Sequence, residues 1–319
     1  MTSLVSVIIP CYNAAPWIEE TLHCVTNQSH SNLEVIVVDD GSTDETWAAL
    51  QRFVDPRIRH FKQPNAGAAT ARNVGLQNAR GTFIQFLDAD DVMSPGKIAA
   101  QLLAAESLGP NWVFAARWGR FRRRIEQTHW EKLWSPARQT GIDWLVNAWA
   151  DGDMMPPLGW LVPRALADAV GPWNPATGIN DDAEYFTRVL LQSAGVVQVP
   201  EAQVYYRSGN MSYSQRTDCW AWESLLNSYE LCSHHLLSAE DSLRVRKAVA
   251  SRIQSFQYQA YPEFPQLVER AERLLETLNL PKGLPHGGGP ASKLVGRLFG
   301  WKLSRRLGIA KASLRDVTE

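Results

Sequence analysis

The first part of the chain, up to about residue 90, alternates between short apolar runs and longer segments whose apolar residues recur at helical spacing. The runs predict β-strands at 4–9, 33–38, 58–61 and 82–87. The segments between them predict helices at about 14–28, 43–53 and 67–79. Such alternation indicates a mostly parallel sheet, and the unbroken apolar run at 35–38 is typical of a strand that helices cover on both faces. We therefore expect an α/β fold.

The rest of the chain predicts a change of architecture near residue 215. Before that point the pattern is irregular and rich in Trp and Pro, which suits loops that shape a second binding site. After it, three helices are predicted, at 218–235, 239–258 and 263–279. The predicted parts are a domain at 1–215 with halves 1–95 and 96–215, a helical extension at 216–280, a breaker-rich linker at 281–290 and a tail at 291–319.

Charge and cysteine content exclude several classes of protein. The 319 residues include 32 Lys and Arg against 33 Asp and Glu, so the net charge of −1 predicts no nucleic-acid partner. The four cysteines are scattered without a CxxC pair, which disfavours a zinc site or a disulfide framework and favours a reducing compartment. The N-terminus has no signal-peptide pattern, and no apolar run has transmembrane length. We expect a cytoplasmic protein.

Polar segments follow three of the predicted strands where each strand ends. They are PCYN at 10–13, DDGSTD at 39–44 and DADD at 88–91. Because ligands of such sheets bind beyond the carboxyl ends of the strands, we expect these segments to form a binding site at one edge of the sheet.

The DADD segment crowds three carboxylates, Asp88, Asp90 and Asp91, behind an apolar strand. An EF-hand calcium loop is excluded because Met93 stands where that loop requires glycine. A helix predicted to begin near Ser94 explains part of the acidity as capping, and we assign Asp91 to capping or orienting that segment. Asp88 and Asp90 lie on the same side of an extended chain, which suits a divalent cation that is completed by water and phosphate oxygens.

The DDGSTDET segment predicts a turn and a helix start, with Ser42 and Glu45 as a capping box. Asp39 is not needed for that role. Its carboxylate, at the end of a buried strand, is placed to accept hydrogen bonds from a ribose hydroxyl or a base N–H. Arg72 stands among small residues in the third predicted helix, so we expect it to have an anionic partner, either a phosphate or a strand-end aspartate.

In their order along the chain, the segments SVIIPCYNAAPWIEETLHCVTNQ, LEVIVVDDGSTDET and NAGAATARNVGLQNARGTFIQFLDADD resemble the nucleotide-sugar-binding half of the family 2 glycosyltransferases. The resemblance covers about residues 4–95 and continues more faintly through 158–190, where Asp181–Asp182 replaces the family's glutamate–aspartate pair. It implies a nucleotide-diphospho-sugar transferase fold of the GT-A type, with a donor-binding half at 1–95 and an acceptor half at 96–215.

The resemblance also implies how the donor is bound. Asp39 would contact the nucleoside and Asp88 the nucleotide of a nucleotide-sugar, most often a UDP-sugar. Asp90, with Asp88 beside it, would hold Mn²⁺ or Mg²⁺ bridging the diphosphate. By the same resemblance the base pocket would be lined by Pro10, Tyr12 and Asn13. Arg72 is a further candidate for the donor site because of its expected anionic partner and not because of the resemblance.

On the acceptor side, the resemblance implies an inverting transfer in which Asp182, paired with Asp181, is the catalytic base. The acceptor would be a hydroxyl of a saccharide or a lipid-linked saccharide. Arg188 matches the family arginine at that offset from the acidic pair. The same segment also fits helix capping by Asn180 or Asp181. Most of the many Trp residues fit core packing, but Trp160 is the best candidate to stack on an acceptor sugar.

Two further features leave alternatives open. The basic segment at 117–124 is either a solvated face or a site for a phosphate-bearing acceptor. The tail at 292–315 has seven Lys and Arg, no acid and roughly helical apolar spacing, so it packs on the protein, contacts a partner or lies on a membrane surface. Its composition favours the membrane surface, which would make the protein peripheral at the inner face of the membrane.

Two other functions compete with glycosyl transfer. A non-catalytic nucleotide-sugar or glycan-binding relative would keep the same fold, although Asp88, Asp90 and Asp182 argue against it. A nucleotidyltransferase is less favoured because PCYNAAPW is not a glycine- and basic-rich phosphate loop. A dehydrogenase is disfavoured because GxGxxG is missing after the first strand.

Overall fold

The computed structural model describes residues 3–153, 155–209, 216–281, 294–296, 298 and 300–316. Its contacts divide the chain into two compact units. The first comprises residues 1–144 and 155–215, and the second comprises residues 145–154 and 216–319. The first unit holds the β-sheet, and the second is built from helices.

The alternation predicted for the N-terminal region is confirmed. The strands are β1 (Val5–Cys11), β2 (Leu33–Asp39), β3 (Ile58–Lys62) and β4 (Phe83–Phe86). The helices are α1 (Ile18–Thr26), α2 (Thr46–Arg52) and α3 (Ala68–Asn78). The four strands are parallel, in the order β3-β2-β1-β4. Both β1 and β2 are buried at every residue, as expected of central strands covered on both faces.

Helix α3 lies close against β1 and β2 because its inner face is made of small residues. A Cβ added to Gly75 would come within 2.3 Å of the side chain of Ile8. Glycine lowers helix propensity, but this close approach of helix to strand requires it. The approach also fixes the position from which Arg72, one turn earlier on α3, reaches the strand ends.

The sheet continues through the second half of the first unit. The further strands are β5 (Val92–Met93), β6 (Trp112–Phe121), β7 (His129–Trp130), β8 (Arg138–Gln139), β9 (Trp160–Pro163) and β10 (Gly195–Arg207). Strand β9 joins the halves, antiparallel to both β4 and β6, while β10 is parallel to β6. The main path of the sheet is β3-β2-β1-β4-β9-β6-β10-β5. The expected α/β fold is confirmed, with antiparallel pairs added in this second half.

An aromatic cluster holds the start of α7 (Asp181–Gln192) against the sheet. The other helices between β5 and β10 are α4 (Lys97–Glu106), α5 (Gly141–Asp151) and α6 (Arg164–Val170), and residues 145–151 of α5 belong to the second unit. Trp173 stacks on Tyr185 with ring centroids 4.2 Å apart, and Phe86 meets the Trp173 ring edge-on at 4.9 Å. Because Phe86 is the last residue of β4 and Tyr185 lies in the first turns of α7, this packing sets the start of α7 against the end of β4.

The second unit contains the three helices predicted after residue 215, which are α8 (Cys219–Ala239), α9 (Leu243–Ala260) and α10 (Pro265–Thr277). A further helix, α11 (Trp301–Asp316), lies in the tail, whose apolar residues recur at roughly helical spacing. Side-chain caps begin two of them, because Asp218 accepts from the backbone N of Ala221 and Ser242 accepts from that of Val245. The linker predicted at 281–290 lies outside the described residues after its first position. Within the described parts of the chain, no helix is both long enough and apolar enough to cross a membrane.

Candidate functional site

The three predicted polar segments come together at one edge of the sheet. The register places Cys11, at the end of β1, beside Asp39, at the end of β2. The backbone N of Leu87, just past β4, donates to the carbonyl oxygen of Ile8, so the DADD segment leaves the sheet next to β1. The carboxyl-end site expected from the strand pattern therefore exists as a cluster of side chains.

Asp39 is fully buried, and one of its two carboxylate oxygens accepts no hydrogen bond from the described residues. Its Oδ1 accepts a hydrogen bond from the backbone N of Ser42 at 3.1 Å. Its Oδ2 lies 3.7 Å from Lys62 Nζ and has no hydrogen-bond partner among the described residues. A buried carboxylate oxygen without a partner is costly, so this atom suits a ligand N–H or O–H.

Around Asp39, the three residues predicted to line a base pocket differ in what their side chains can do. Pro10 is buried within β1, whereas the Tyr12 ring is 50% exposed just beyond it. Asn13 has a left-handed φ of 50°, and its side-chain oxygen accepts from the backbone N of Thr43 at 2.8 Å. Asn13 thus joins two of the strand-end loops, and Tyr12 is the side chain free to stack on a ligand ring.

Asp40 is a site residue that the sequence pattern did not single out. Its carboxylate accepts from the backbone N atoms of Ala66 and Gly67, both at 2.8 Å, and from Gln63 Nε2. These bonds fix the loop that leads into α3. The sequence did contain a signal for this difference. Successive side chains of an extended chain point to opposite sides, so Asp39 and Asp40 are not expected to share a role.

The capping box predicted for Ser42 and Glu45 is wrong. Helix α2 begins at Thr46, later than the box requires, and Glu45 forms no side-chain capping bond. The Ser42 hydroxyl instead accepts from the backbone N of Asn13 at 3.0 Å. Asp44 takes the capping role, because its Oδ1 accepts from the backbone N of Thr46 at 3.0 Å.

Arg72 lies at the centre of the cluster and is only 5% exposed. Its Nη2 donates to Asp88 Oδ1 at 2.8 Å, and its Nη1 donates to Asp181 Oδ2 at 2.7 Å. The guanidinium also lies over the Trp173 ring, 4.5 Å from its centroid. Of the two partners expected from the sequence, a phosphate or a strand-end aspartate, the structure pairs Arg72 with the aspartate Asp88, and it adds Asp181.

Asn73 holds the Trp173 segment in place beneath Arg72. Its Nδ2 donates to the Trp173 carbonyl oxygen, and its Oδ1 accepts from the Trp173 backbone N, both at 2.8 Å. This two-sided bond fixes the ring on which the guanidinium stacks.

Burial and charge shift the pKa values of these groups. The pKa of Asp181 is raised by burial, which outweighs the opposing effect of Arg72. Burial, with Asp181 as the next largest cause, raises the pKa of Asp182 from 3.8 to about 7, and Arg72 again opposes the shift. The pKa of Arg72 is raised despite its burial, because Asp181 and Asp88 favour its charged form. Asp182 is therefore a carboxyl that titrates near neutral pH.

The first turn of α7 holds Asp182 without a conventional cap. Asn180 precedes the helix in a left-handed conformation, with φ at 68°, and its side chain forms no capping bond, so that part of the capping prediction is wrong. Arg188 has a structural role, because it pairs with Glu184 at 2.7 Å and donates to the carbonyl oxygens of Val170 and Pro172. It thereby ties α7 to the segment that follows α6.

The three aspartates of the DADD segment differ in burial. Asp88 and Asp90 are partly exposed, whereas Asp91 is fully buried. The backbone N of Arg207 donates to Asp91 Oδ1 at 2.7 Å, so Asp91 orients the segment against β10. Burial, together with Asp90 and Asp88, raises the pKa of Asp91 well above its ordinary value. The structure therefore assigns Asp91 the orienting role, while Asp88 and Asp90 lie at the exposed edge.

The donor set at this edge suits a hard cation that is completed by a substrate. Among the described residues, no group of three or more His, Cys, Asp or Glu side chains is placed to hold a metal ion by itself. Asp90 and Asp88 offer carboxylate oxygens, and Mg²⁺ or Mn²⁺ is commonly held by one or two carboxylates plus phosphate and water oxygens. The two residues fit that arrangement.

The prediction that Trp160 stacks on an acceptor sugar is wrong. Trp160 is 1% exposed and lies in the core, with its ring stacked on Phe186 at 5.5 Å and edge-on to Trp144 at 5.0 Å. No face of the indole is left for a ligand. The sequence pattern could not distinguish this ring from the exposed ones, because strand β9 is buried at every residue.

The strands, helices and sheet order of the first unit form the α/β fold that the resemblance implies. Residues 6–156 match the family model described as Glycosyl transferase family 2. The resemblance found in the sequence is thus confirmed over these residues.

Relatives match over about a third of this chain. A putative teichuronic acid biosynthesis glycosyltransferase, TuaG of Bacillus subtilis, is 48% identical over 102 residues, which are 31% of this chain and 40% of that protein. An uncharacterized glycosyltransferase of Rickettsia felis is 44% identical over 114 residues, which are 35% of this chain and 18% of the relative. This chain therefore spans less than half the length of these relatives.

Solved structures match over nearly the whole chain. The S. aureus TarS fragment 1–349 in complex with UDP-GlcNAc has a TM-score of 0.69 at 18% identity, covering 97% of this chain and 91% of that one. The same fragment in complex with UDP has a TM-score of 0.67 at 17% identity, with the same coverage. At this identity the likeness establishes the fold.

Replacing Asp182 by Asn is expected to stabilise the protein at high pH. The pKa of Asp182 is about 7 in the folded protein and 3.8 ordinarily, so the folded state binds this proton more tightly than the unfolded state. The stability that this proton contributes is therefore lost as pH rises from about 4 to about 7. We expect Asp182→Asn to raise the free energy of unfolding by about 2 kcal/mol at pH 8, since each pKa unit corresponds to about 1.4 kcal/mol and partial exposure reduces the total.

At pH 4.5 the same substitution should change the free energy of unfolding little, because protonated Asp182 resembles Asn. Urea titrations of both proteins at both pH values measure this difference. An equal gain at the two pH values, or a loss at pH 8, would contradict the raised pKa.

Proposed function

We propose that this protein is a metal-dependent, inverting glycosyltransferase that moves a sugar from a nucleotide-diphosphate donor, most simply a UDP-sugar, to a hydroxyl acceptor. The observation that carries the proposal is the Arg72 bridge, which links the donor-side carboxylate Asp88 to the acidic pair Asp181–Asp182. The groups needed for donor binding and for proton removal thus belong to one network.

The comparisons support the donor and the pathway class. The matching TarS structure contains UDP-GlcNAc, and TuaG is named for teichuronic acid biosynthesis. A role in polysaccharide or glycoconjugate biosynthesis, with a saccharide or lipid-linked acceptor, follows as part of the proposal.

Donor recognition uses the strand-end side chains. Asp39 Oδ2, which accepts no hydrogen bond among the described residues, accepts one from the nucleoside, and the exposed Tyr12 ring stacks on the base. Asp90 and Asp88 would hold Mn²⁺ or Mg²⁺, which supplies Lewis-acid neutralisation of the leaving diphosphate.

Asp182 acts as the general base. The acceptor hydroxyl attacks the anomeric carbon from the face opposite the leaving group, the bond to the nucleoside diphosphate breaks, and the hydroxyl proton passes to Asp182. Single displacement inverts the anomeric centre. A pKa of about 7 gives the carboxylate enough basicity to accept the proton while leaving much of it ionised at neutral pH.

Two substitutions separate metal-dependent donor binding from proton removal. Asp90→Asn should abolish the manganese-dependent part of UDP binding, because it removes a charged ligand of the cation. Asp182→Asn should keep UDP affinity within about twofold and lower transfer by about 10²-fold or more. Calorimetric UDP titrations with and without manganese, and nucleotide release from a donor panel, measure the two effects.

The matched control is Asp168→Asn, which alters an exposed aspartate on α6 paired with Arg164. It should change neither quantity. Donor binding without hydrolysis or transfer for any donor would favour the non-catalytic alternative, and full transfer by Asp182→Asn would remove that residue as the base.

We further propose that α11 places the protein on a membrane surface while packing on its own unit. Its inner side contacts α9 and the residue after it, with Trp301 edge-on to Tyr261 at 5.3 Å and Arg305 over the Tyr258 ring at 4.9 Å. Leu303 and Leu307, four residues apart, are 45% and 54% exposed. Exposed leucines on a basic helix suit the interface of an anionic membrane.

Glutamate at both exposed leucines tests this contact. Leu303→Glu with Leu307→Glu should weaken binding to vesicles containing anionic lipid by about tenfold or more, because two leucine side chains can no longer be buried in the interface. Leu243→Glu, at an exposed leucine that begins α9, is the control and should leave vesicle binding unchanged. Equal flotation of wild type and the double variant would refute the membrane role.

A further inference from the structure

A pocket of about 750 Å³ opens beside the DADD segment and is not used by the donor-binding residues described above. It lies wholly within the first unit. The lining residues that matter here are Trp17 and Glu20 at the start of α1, Arg122 and Arg123 just past β6, and Arg207 and Ser208 at the end of β10.

The pocket is basic because its one acid is already paired. Glu20 accepts a hydrogen bond from Arg207 Nη2, and Arg207 also donates through Nε to the carbonyl oxygen of Asp90 at 2.7 Å. Arg122 and Arg123 are exposed and form no ion pair with any carboxylate of the described residues. Two guanidinium groups therefore face the pocket ready for an anionic ligand.

Arg124, the next residue, shows that not every arginine of the basic segment lacks a carboxylate partner. Arg124 does not line the pocket, and it lies 3.7 Å from Glu126, with both side chains largely exposed. An exposed pair of this kind contributes little to stability and satisfies Arg124 locally. Of the three consecutive arginines, the two that lack a carboxylate partner are the two that line the pocket.

The pocket also offers a surface for a sugar or polyol. Trp17 is partly exposed there, so an apolar ring face is available beside the two arginines. Ser208 adds a hydroxyl, although its Oγ already donates to the Phe121 carbonyl oxygen at 3.1 Å and so remains available as an acceptor. A saccharide or polyol that carries an acidic group matches this lining.

The pocket lies next to the segment assigned to the donor, where an acceptor has to be bound. Arg207, which lines the pocket, donates to the carbonyl oxygen of Asp90, so the pocket is next to the segment that carries the proposed metal-binding carboxylates. In a single displacement the acceptor must lie next to the donor sugar, beyond the diphosphate. The diphosphate itself is assigned to the cation at Asp90 and does not require Arg122 or Arg123.

We propose that this pocket binds an anionic group, a phosphate or a carboxylate, on the acceptor saccharide or polyol. The identification of the ligand as an acceptor rests on the proposed transferase function. Binding of an anionic probe to the pocket, however, can be measured without turnover. The two guanidinium groups bind the anion and Trp17 packs on the adjacent sugar or polyol carbons.

Binding of three probes to the full chain tests the proposal, with UDP and manganese present at saturation. The probes are a glycerol-phosphate oligomer, a tetrasaccharide containing glucuronic acid and a neutral tetrasaccharide. Wild type should bind at least one anionic probe about tenfold more tightly than the neutral one, as charge-assisted hydrogen bonds allow. Preference between the two anionic probes distinguishes a phosphate-bearing from a uronate-bearing acceptor.

The variant Arg122→Ala with Arg123→Ala should lose that tenfold preference while its affinity for the neutral probe and for UDP stays within about twofold. Arg124→Ala, the matched control from the same run, should bind all probes like wild type. Thermal unfolding should confirm that both variants are folded, as expected for exposed side chains.

Three results would overturn the proposal. They are no anionic preference in wild type, an equal loss in Arg124→Ala, and a loss of UDP affinity in the double variant as large as its loss for the anionic probe. The last result would assign the pocket to the donor diphosphate. Absence of donor hydrolysis together with an intact anionic preference would refute the transferase function and not the anion site.

Discussion

A buried guanidinium between two carboxylates is the interaction on which the candidate site depends. Arg72 binds Asp88 and Asp181, which lies 109 residues away along the chain, with hydrogen bonds of 2.8 and 2.7 Å. Burying such a group is costly, and it is tolerated only because both carboxylates compensate its charge. Removing Arg72 would leave the buried Asp181 and the partly exposed Asp88 without their shared positive charge. The arginine therefore fixes the end of β4 and the start of α7 as a single electrostatic unit.

Much of the surrounding fold serves to place that guanidinium. Gly75 lets α3 approach Ile8 of β1, so that Arg72 reaches the strand ends from a short distance. Asp40 orders the loop before α3 through the backbone of Ala66 and Gly67, and Asn73 holds the Trp173 ring on which Arg72 stacks. The same network leaves Asp182 with a pKa of about 7, because burial and Asp181 raise it while Arg72 limits the rise.

Local patterns allowed the first half of the fold and the cluster of polar side chains at the strand ends to be predicted from the sequence. Contacts between distant segments were not predictable. Strand ends, helical spacing and an isolated arginine are local features, so β1–β4, the α/β class and an aspartate partner for Arg72 followed from them. The link to Asp181 and the pocket formed by Arg122, Arg123 and Arg207 depend on tertiary contacts between distant segments. Trp160 was misassigned because burial is set by the neighbouring strands and not by residue type.

The proposed role of Asp182 as the base is best tested by the pH dependence of kcat/KM for sugar transfer, measured at saturating metal. If Asp182 must be ionised to accept the acceptor proton, kcat/KM should rise with pH and level off above a pKa near 7. In Arg72→Gln the rising limb should move to higher pH, because the positive charge that lowers the pKa of Asp182 is gone. A profile that is flat between pH 5.5 and 9, or a rising limb that stays in place in Arg72→Gln, would show that Asp182 coupled to Arg72 is not the base.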